Sequence, residues 1–128
     1  MAVKPIPDGY HNVTPYLLVQ GADKLIDFLK EAFAAEEMLR MPGADGSTSH
    51  AEVRIGDSVV MMGQPADGTA MPAALYLYLE DVDAAYKRAL QAGGESTEEP
   101  ADQPYGDRRA GVKDPCGNMW WIATHIKD

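Results

Sequence analysis

With 128 residues, the chain can hold one compact domain, or two small repeats that must share a core. Its formal net charge of −9 is spread along the sequence and excludes nucleic acid as the main partner, because phosphate recognition needs a basic face. The lone Cys116 excludes an intrachain disulfide and a cysteine-rich zinc site, and no apolar run or signal core marks a membrane span or export, so a cytoplasmic protein without membrane partners is expected.

Residues 1–12, with two prolines and Asp8-Gly9, predict an irregular arm. Val13 to Val19 reads as a strand, with Pro15 marking an edge or a strand start because it cannot donate to a ladder. From Asp23, apolar residues at Leu25, Ile26, Leu29, Ala32 and Phe33 recur at helical spacing, and Asp23 itself is expected to start the helix. Glu37 to Met41 is a short strand candidate, followed by a turn at Pro42 to Gly46. Ser49 to Ile55 and Ser58 to Gln64 then predict a hairpin around Gly56-Asp57. Its register sets Ile55 opposite Ser58, Arg54 opposite Val59, Glu52 opposite Met61 and His50 opposite Gly63. Ala51, Val53, Ile55, Val60 and Met62 then share an apolar face, while His50, Glu52, Arg54, Val59 and Met61 share a mixed one.

Residues 65–73 read as a linker. Ala74 to Leu79 is a strand, and Asp83 to Ala92 a helix packing through Ala85, Ala89 and Leu90 and closed by Gly93-Gly94. The acidic stretch Glu95 to Asp102 reads as a solvated loop. Arg108 to Lys113 and Met119 to Thr124 predict a second hairpin around Asp114 to Asn118, where Cys116 reads as a small turn residue. The second half repeats the first at a constant offset: Tyr16-Leu17-Leu18-Val19 with Asp23 recurs as Tyr76-Leu77-Tyr78-Leu79 with Asp83. Two repeats, about 13–64 and 74–124, make one domain over 1–128 with a shared groove as the expected site.

The paired units, the Glu80-Asp81-Val82-Asp83 entry to the second helix, Gly106-Asp107-Arg108 and the Asp114-Pro115-Cys116-Gly117-Asn118 turn resemble the vicinal oxygen chelate superfamily. Its members include glyoxalase I, bleomycin-resistance proteins and extradiol dioxygenases. Ser49 to Glu52, with Gly106 to Arg108 and Trp121 to His125, resembles the glyoxalase-like subgroup labelled PhnB-like. The resemblance implies an α+β fold: two βαβββ repeats forming an incompletely closed mixed β-barrel with helices outside. It also implies a frequent homodimer. In metal-dependent relatives four His or Glu ligands line the groove. The matching positions are Thr14, Met61, Ala74 and Trp121, none a usual ligand. No cofactor is therefore expected, and the resemblance points to the metal-free branch that sequesters planar or cationic molecules.

Period-two alternation places Tyr16 and Leu18 on one face with Thr14, and Tyr76 and Tyr78 with Ala74. The opposite set, Leu17, Val19, Leu75, Leu77, Leu79, Trp120 and Ile122, is uniformly apolar and should pack on the helices. The inward aromatics either stack on a flat organic ligand or fill a small barrel. His50, Glu52, Met61, Tyr76, Tyr78, Arg108 and Trp121 are the candidate ligand contacts. His50 and Glu52 point the same way and allow three readings: a cross-strand polar pair, an acid–base or ligand-contacting pair, or a relocated divalent metal site. Either Arg108 or Arg109 can face the groove and meet an anion; His11 and His125 read as solvated. Two functions follow: a small-molecule binding protein, or a lyase, isomerase or dioxygenase built around His50 and Glu52. A third reading is a purely structural or interaction role.

Overall fold

A computed structural model describes residues 2–128. The first βαβββ unit runs β1 (Tyr16–Leu18), α1 (Ala22–Phe33), β2 (Glu36–Pro42), β3 (Thr48–Ile55) and β4 (Ser58–Gly63). The second runs β5 (Ala74–Tyr78), α2 (Val82–Gln91), β6 (Glu95–Asp102), β7 (Asp107–Lys113) and β8 (Met119–His125). Each unit forms a four-stranded mixed sheet, in the orders β1-β4-β3-β2 and β5-β8-β7-β6. The result is an α+β fold with no closed barrel.

The internal repeat reappears in the register. β1 runs parallel to β4 with Tyr16 beside Met61, and β5 runs parallel to β8 with Tyr76 beside Trp121. Both members of the pair are displaced equally, 16 to 76 and 61 to 121. The β3–β4 hairpin has the register expected from its turn, including Glu52 opposite Met61 and His50 opposite Gly63.

Both sheets turn one apolar face to the helices. Leu17, Val53, Met62, Val112, Trp120 and Ile122 join Leu25, Ile26, Phe28 and Leu29 in one core cluster that spans both units. Leu75, Leu77 and Leu79 pack against its margin. The Phe33 ring of α1 lies 5.3 Å from that of Trp120, and Arg88 of α2 donates to the Ala32 carbonyl at 3.2 Å. The units therefore share a core, as expected of halves too small to bury enough surface alone.

Several elements differ from the sequence expectation. β1 begins at Tyr16, not Val13; Pro15 precedes it and gives its carbonyl to the Met61 amide at 2.9 Å. Asp23 does not cap α1. Gly21 holds the cap at φ 107°, and the Gln64 side chain accepts from the Gly21 and Ala22 amides at 2.9 and 2.8 Å. Asp23 instead accepts from Thr48 and Arg40. In α2 the cap is Asp81, whose carboxylate accepts from the Ala84 amide at 3.1 Å. Leu90 is 37% exposed and is no core residue; Val82 is buried with Ala85 and Ala89 instead. Glu95 to Asp102 is not a loop but β6, antiparallel to β7. Its acids escape the desolvation cost because the strand is an edge, and Glu98 and Asp102 meet Arg109 and Arg108.

The turn before β8 is organised by Asp114, which is buried. Its carboxylate accepts from the Cys116 and Asn118 amides, the Asn118 side chain and the Trp120 indole, at 2.8 to 3.0 Å. Asp114→Ala would leave a buried indole N–H unpaired; denaturant unfolding is expected to show a loss of about 2–4 kcal/mol.

Candidate functional site

The faces turned away from the helices carry the polar and aromatic side chains. On the first sheet, the antiparallel register brings His50 and Glu52 to one face two residues apart, and β1 adds Tyr16 beside them. His50 Nε2 lies 2.9 Å from Glu52 Oε2, and the Tyr16 hydroxyl 3.2 Å from His50 Nδ1. Tyr10, from the N-terminal arm, donates to the other oxygen of Glu52. Glu52 is 8% exposed, so this is more than a solvated surface pair. Burial pushes its pKa up, but the hydrogen bonds from Tyr10 and His50 outweigh that and hold it below the ordinary carboxylate value. The same bond raises the Tyr10 phenol.

On the second sheet, the central group is Asp107, 1% exposed. Its carboxylate accepts from Tyr76 at 2.6 Å, Tyr78 at 2.9 Å and His125 Nδ1 at 2.8 Å. These bonds, that of Tyr76 foremost, depress its pKa. They also keep both phenols protonated: Tyr76 is raised first by desolvation, Tyr78 first by Asp107. Tyr105 joins Tyr76 at 3.2 Å and accepts from Arg109 at 3.0 Å. Arg109 pairs with Glu98 and lies 5.9 Å from the centre of the Trp121 ring.

Among the residues expected to contact a ligand, His50, Glu52 and Met61 thus share the first sheet's open face, and Tyr76, Tyr78 and Trp121 the second's. Arg108 is a correction. Ala110 and Val112 of the same strand are in the core, so period-two alternation carries Arg108 to the helix side, where it pairs with Asp83 of α2 and with Asp102. Arg109 and Asp107 take the open face. Anchoring the strand on Ala110 and Val112 could have found this from sequence; nothing in the sequence announced Tyr10 or Tyr105. His125 is not simply solvated, since both its ring nitrogens meet carboxylates, Asp107 and Asp128. The Cys116 thiol is pushed up to about 11 by burial and by Asp114, which makes it a poor nucleophile.

Three of the hollows that adjoin these groups are formed by β1, β3, β4, β5 and the arm. One of about 370 Å³ lies between the arm and the first sheet, lined by Pro5, Ile6, Tyr10, Glu52 and Met61 among others. A second, also about 370 Å³, lies between β1 and β5 with Tyr16 and Tyr76 in its wall. A third of about 220 Å³ lies by the β3–β4 turn and β5. The hydroxyl, thioether, methyl and indole of Thr14, Met61, Ala74 and Trp121 do not make the imidazole and carboxylate donor set of a metal centre. Among the described residues, no group of three or more His, Cys, Asp or Glu side chains is arranged to hold an ion. No helix there is long and apolar enough to cross a membrane.

Comparison with known proteins agrees with this architecture. Residues 11–122 match the Glyoxalase/Bleomycin resistance protein/Dioxygenase superfamily, and the chain belongs to that family. An uncharacterised protein of Mycobacterium bovis is 36% identical over 91% of this chain and 84% of its own length. One from Mycobacterium tuberculosis is 36% identical over 91% and 75% respectively. The structure of TioX from Micromonospora sp. ML1 superposes with a TM-score of 0.78 at 25% identity, covering 91% of this chain and 99% of that one. A lactoylglutathione lyase from Agrobacterium tumefaciens has the same fold, with a TM-score of 0.70 at 18% identity over 94% and 96% of the two chains.

His125 provides a pH test. Its pKa is raised, first by Asp107 and then by Asp128, so protonation stabilises the fold. That contribution is fully present below the unfolded value of about 6.5 and is lost as pH rises through the folded value. An NMR titration is expected to find the imidazole above about 6.5 in the native chain and lowered in Asp107→Asn.

Proposed function

We propose that this protein binds a small planar organic molecule on the open faces of its sheets without a metal ion. The observation that carries this reading is the composition of those faces. Tyr16, Tyr76, Tyr78 and Tyr105 expose their rings, Arg109 lies over the Trp121 ring, and buried carboxylates hold five of the surrounding side chains by hydrogen bonds. Aromatic walls supply non-directional affinity, while a few fixed polar groups orient the ligand. The positions that hold metal ligands in metal-dependent relatives carry Thr14, Met61, Ala74 and Trp121 here, which supports binding without an ion. Calorimetric screening of planar aromatic compounds is expected to find binders whose affinity does not change with a chelator or with added zinc, nickel, iron or manganese. Trp121→Ala is expected to weaken them about tenfold, or about 1.4 kcal/mol. Tight binding that requires a divalent ion and is lost in Glu52→Ala would sink the metal-free reading.

We also propose a homodimer. β5 is an edge strand whose Tyr76 and Tyr78 are exposed and whose Leu75 and Leu77 are only partly buried. An uncovered apolar edge of this kind is stabilised when a second copy covers it. Light scattering is expected to give twice the chain mass of 13.9 kDa, and Leu77→Lys to shift the equilibrium toward the single chain.

A further inference from the structure

We propose that Tyr10 keeps the place of a ligand: a compact phenolic compound binds beneath the N-terminal arm by taking over the hydrogen bond that Tyr10 gives to Glu52, and the arm lifts as it does so. The proposal rests on the open-face binding reading and names its ligand class. The site is the hollow of about 370 Å³ between the arm and the first sheet, with Glu52 and Met61 contributed by the sheet and Pro5, Ile6 and Tyr10 by the arm. No residue of β5 lines it, so the edge assigned to a second copy lies outside the site.

The arm is attached in a way that permits exchange. Residues 2–9 are exposed, and Tyr10 is half-buried. Lys4 pairs with Asp8 and the Tyr10 amide donates to the Pro7 carbonyl, both within the arm. Among the described residues, the bond from the Tyr10 hydroxyl to Glu52 is the one hydrogen bond that joins residues 2–10 to the sheets. One side chain therefore latches the whole segment.

Glu52 makes the place under the latch a binding site. It is 8% exposed and ionised, so its oxygens require donors. His50, two residues back on the same strand, serves one oxygen at 2.9 Å, and Tyr10 serves the other. Displacing Tyr10 without a substitute would leave a buried charge short of a donor, which is costly. The incoming molecule must therefore bring its own donor. The donor already seated there is the hydroxyl of a para-substituted phenol, so the chain carries its own ligand analogue. Arg54 supports a phenol over an organic cation. It follows Glu52 on the same face of β3, a Cβ on Gly9 would lie 2.7 Å from its guanidinium, and its positive charge bears on the Tyr10 phenol. A second cation would be repelled, whereas an acidic hydroxyl is favoured. Pro5, Ile6 and Met61 give the ring an apolar surround. The exchange breaks one O–H···O bond and forms another, and no covalent bond changes.

The latch lowers apparent affinity by the fraction of molecules in which it is open, so a latch closed in about nine of ten molecules costs about tenfold. Tyr10→Phe keeps the ring but removes the donor. The probe is 4-methylphenol, the tyrosine side chain as a free molecule, followed by NMR titration at about pH 7, where a phenol of pKa about 10 keeps its proton. Tyr10→Phe is expected to bind the probe about tenfold more tightly than the native chain. 4-Methylanisole, which lacks the proton, is expected to bind Tyr10→Phe about tenfold more weakly than 4-methylphenol does. In the native chain, saturation with 4-methylphenol is expected to move the Tyr10 ring signals to those of a solvent-exposed tyrosine. Equal or weaker binding by Tyr10→Phe overturns the latch, because Tyr10 is then a bystander or a ligand contact. Equal binding of 4-methylanisole and 4-methylphenol overturns the exchange at Glu52. Failure of both chains to bind 4-methylphenol while other planar compounds bind overturns the proposed ligand class and leaves the open-face binding reading standing. Failure to bind any planar compound overturns both.

Discussion

The packing of Trp120 is the contact on which the two halves depend. The side chain is buried to 1% exposure; its ring meets Phe33 of α1 and its indole N–H is taken by Asp114. One residue thus joins the second sheet to the first helix and fixes the turn that leads into its own strand. Its neighbour Trp121 points the other way because successive strand side chains alternate. One tryptophan is therefore committed to the core and the next to the open face, where Arg109 lies over it. The parallel pairing of β5 with β8 then places Tyr76 beside Trp121. The site is in this sense the reverse side of the core.

The two open faces share a device but differ in what they can do. Each has a largely buried carboxylate surrounded by donors: Tyr10 and His50 on Glu52, and Tyr76, Tyr78 and His125 on Asp107. Such groups are costly to bury unless fully hydrogen-bonded, and here every buried side-chain polar atom among the described residues has a partner. The histidines record the difference. His125 donates from both nitrogens to carboxylates, the pattern of an imidazolium. His50 meets a carboxylate on one side and a phenol, which can donate or accept, on the other. One histidine thus bridges two carboxylates on the second sheet, while the other links a carboxylate to a phenol on the first.

Much of the frame was legible because it depends on local periodicity. Helical spacing in Leu25, Ile26 and Leu29, alternation in Ala51, Val53 and Ile55, and a two-residue turn at Gly56-Asp57 all act within a few residues. β6 was hidden for the opposite reason. Its acids and Pro100 argue against a strand locally, and only pairing with β7, with Arg108 and Arg109 as counter-charges, overrides them. Gln64 capping α1 from the end of β4 is equally invisible, since the residues are far apart in the chain.

The sequence by itself determined the repeat, the α+β class, the hairpin register and the absence of imidazole or carboxylate at Thr14, Met61, Ala74 and Trp121. These follow from side-chain identity and short-range geometry. Tertiary structure alone decided that Tyr10 returns from the arm to Glu52, and that Asp107 gathers Tyr76, Tyr78 and His125. Each of these depends on the phase of a strand or the path of a segment relative to distant residues. Burial of the apolar face against the helices sets that phase, and no local propensity encodes it.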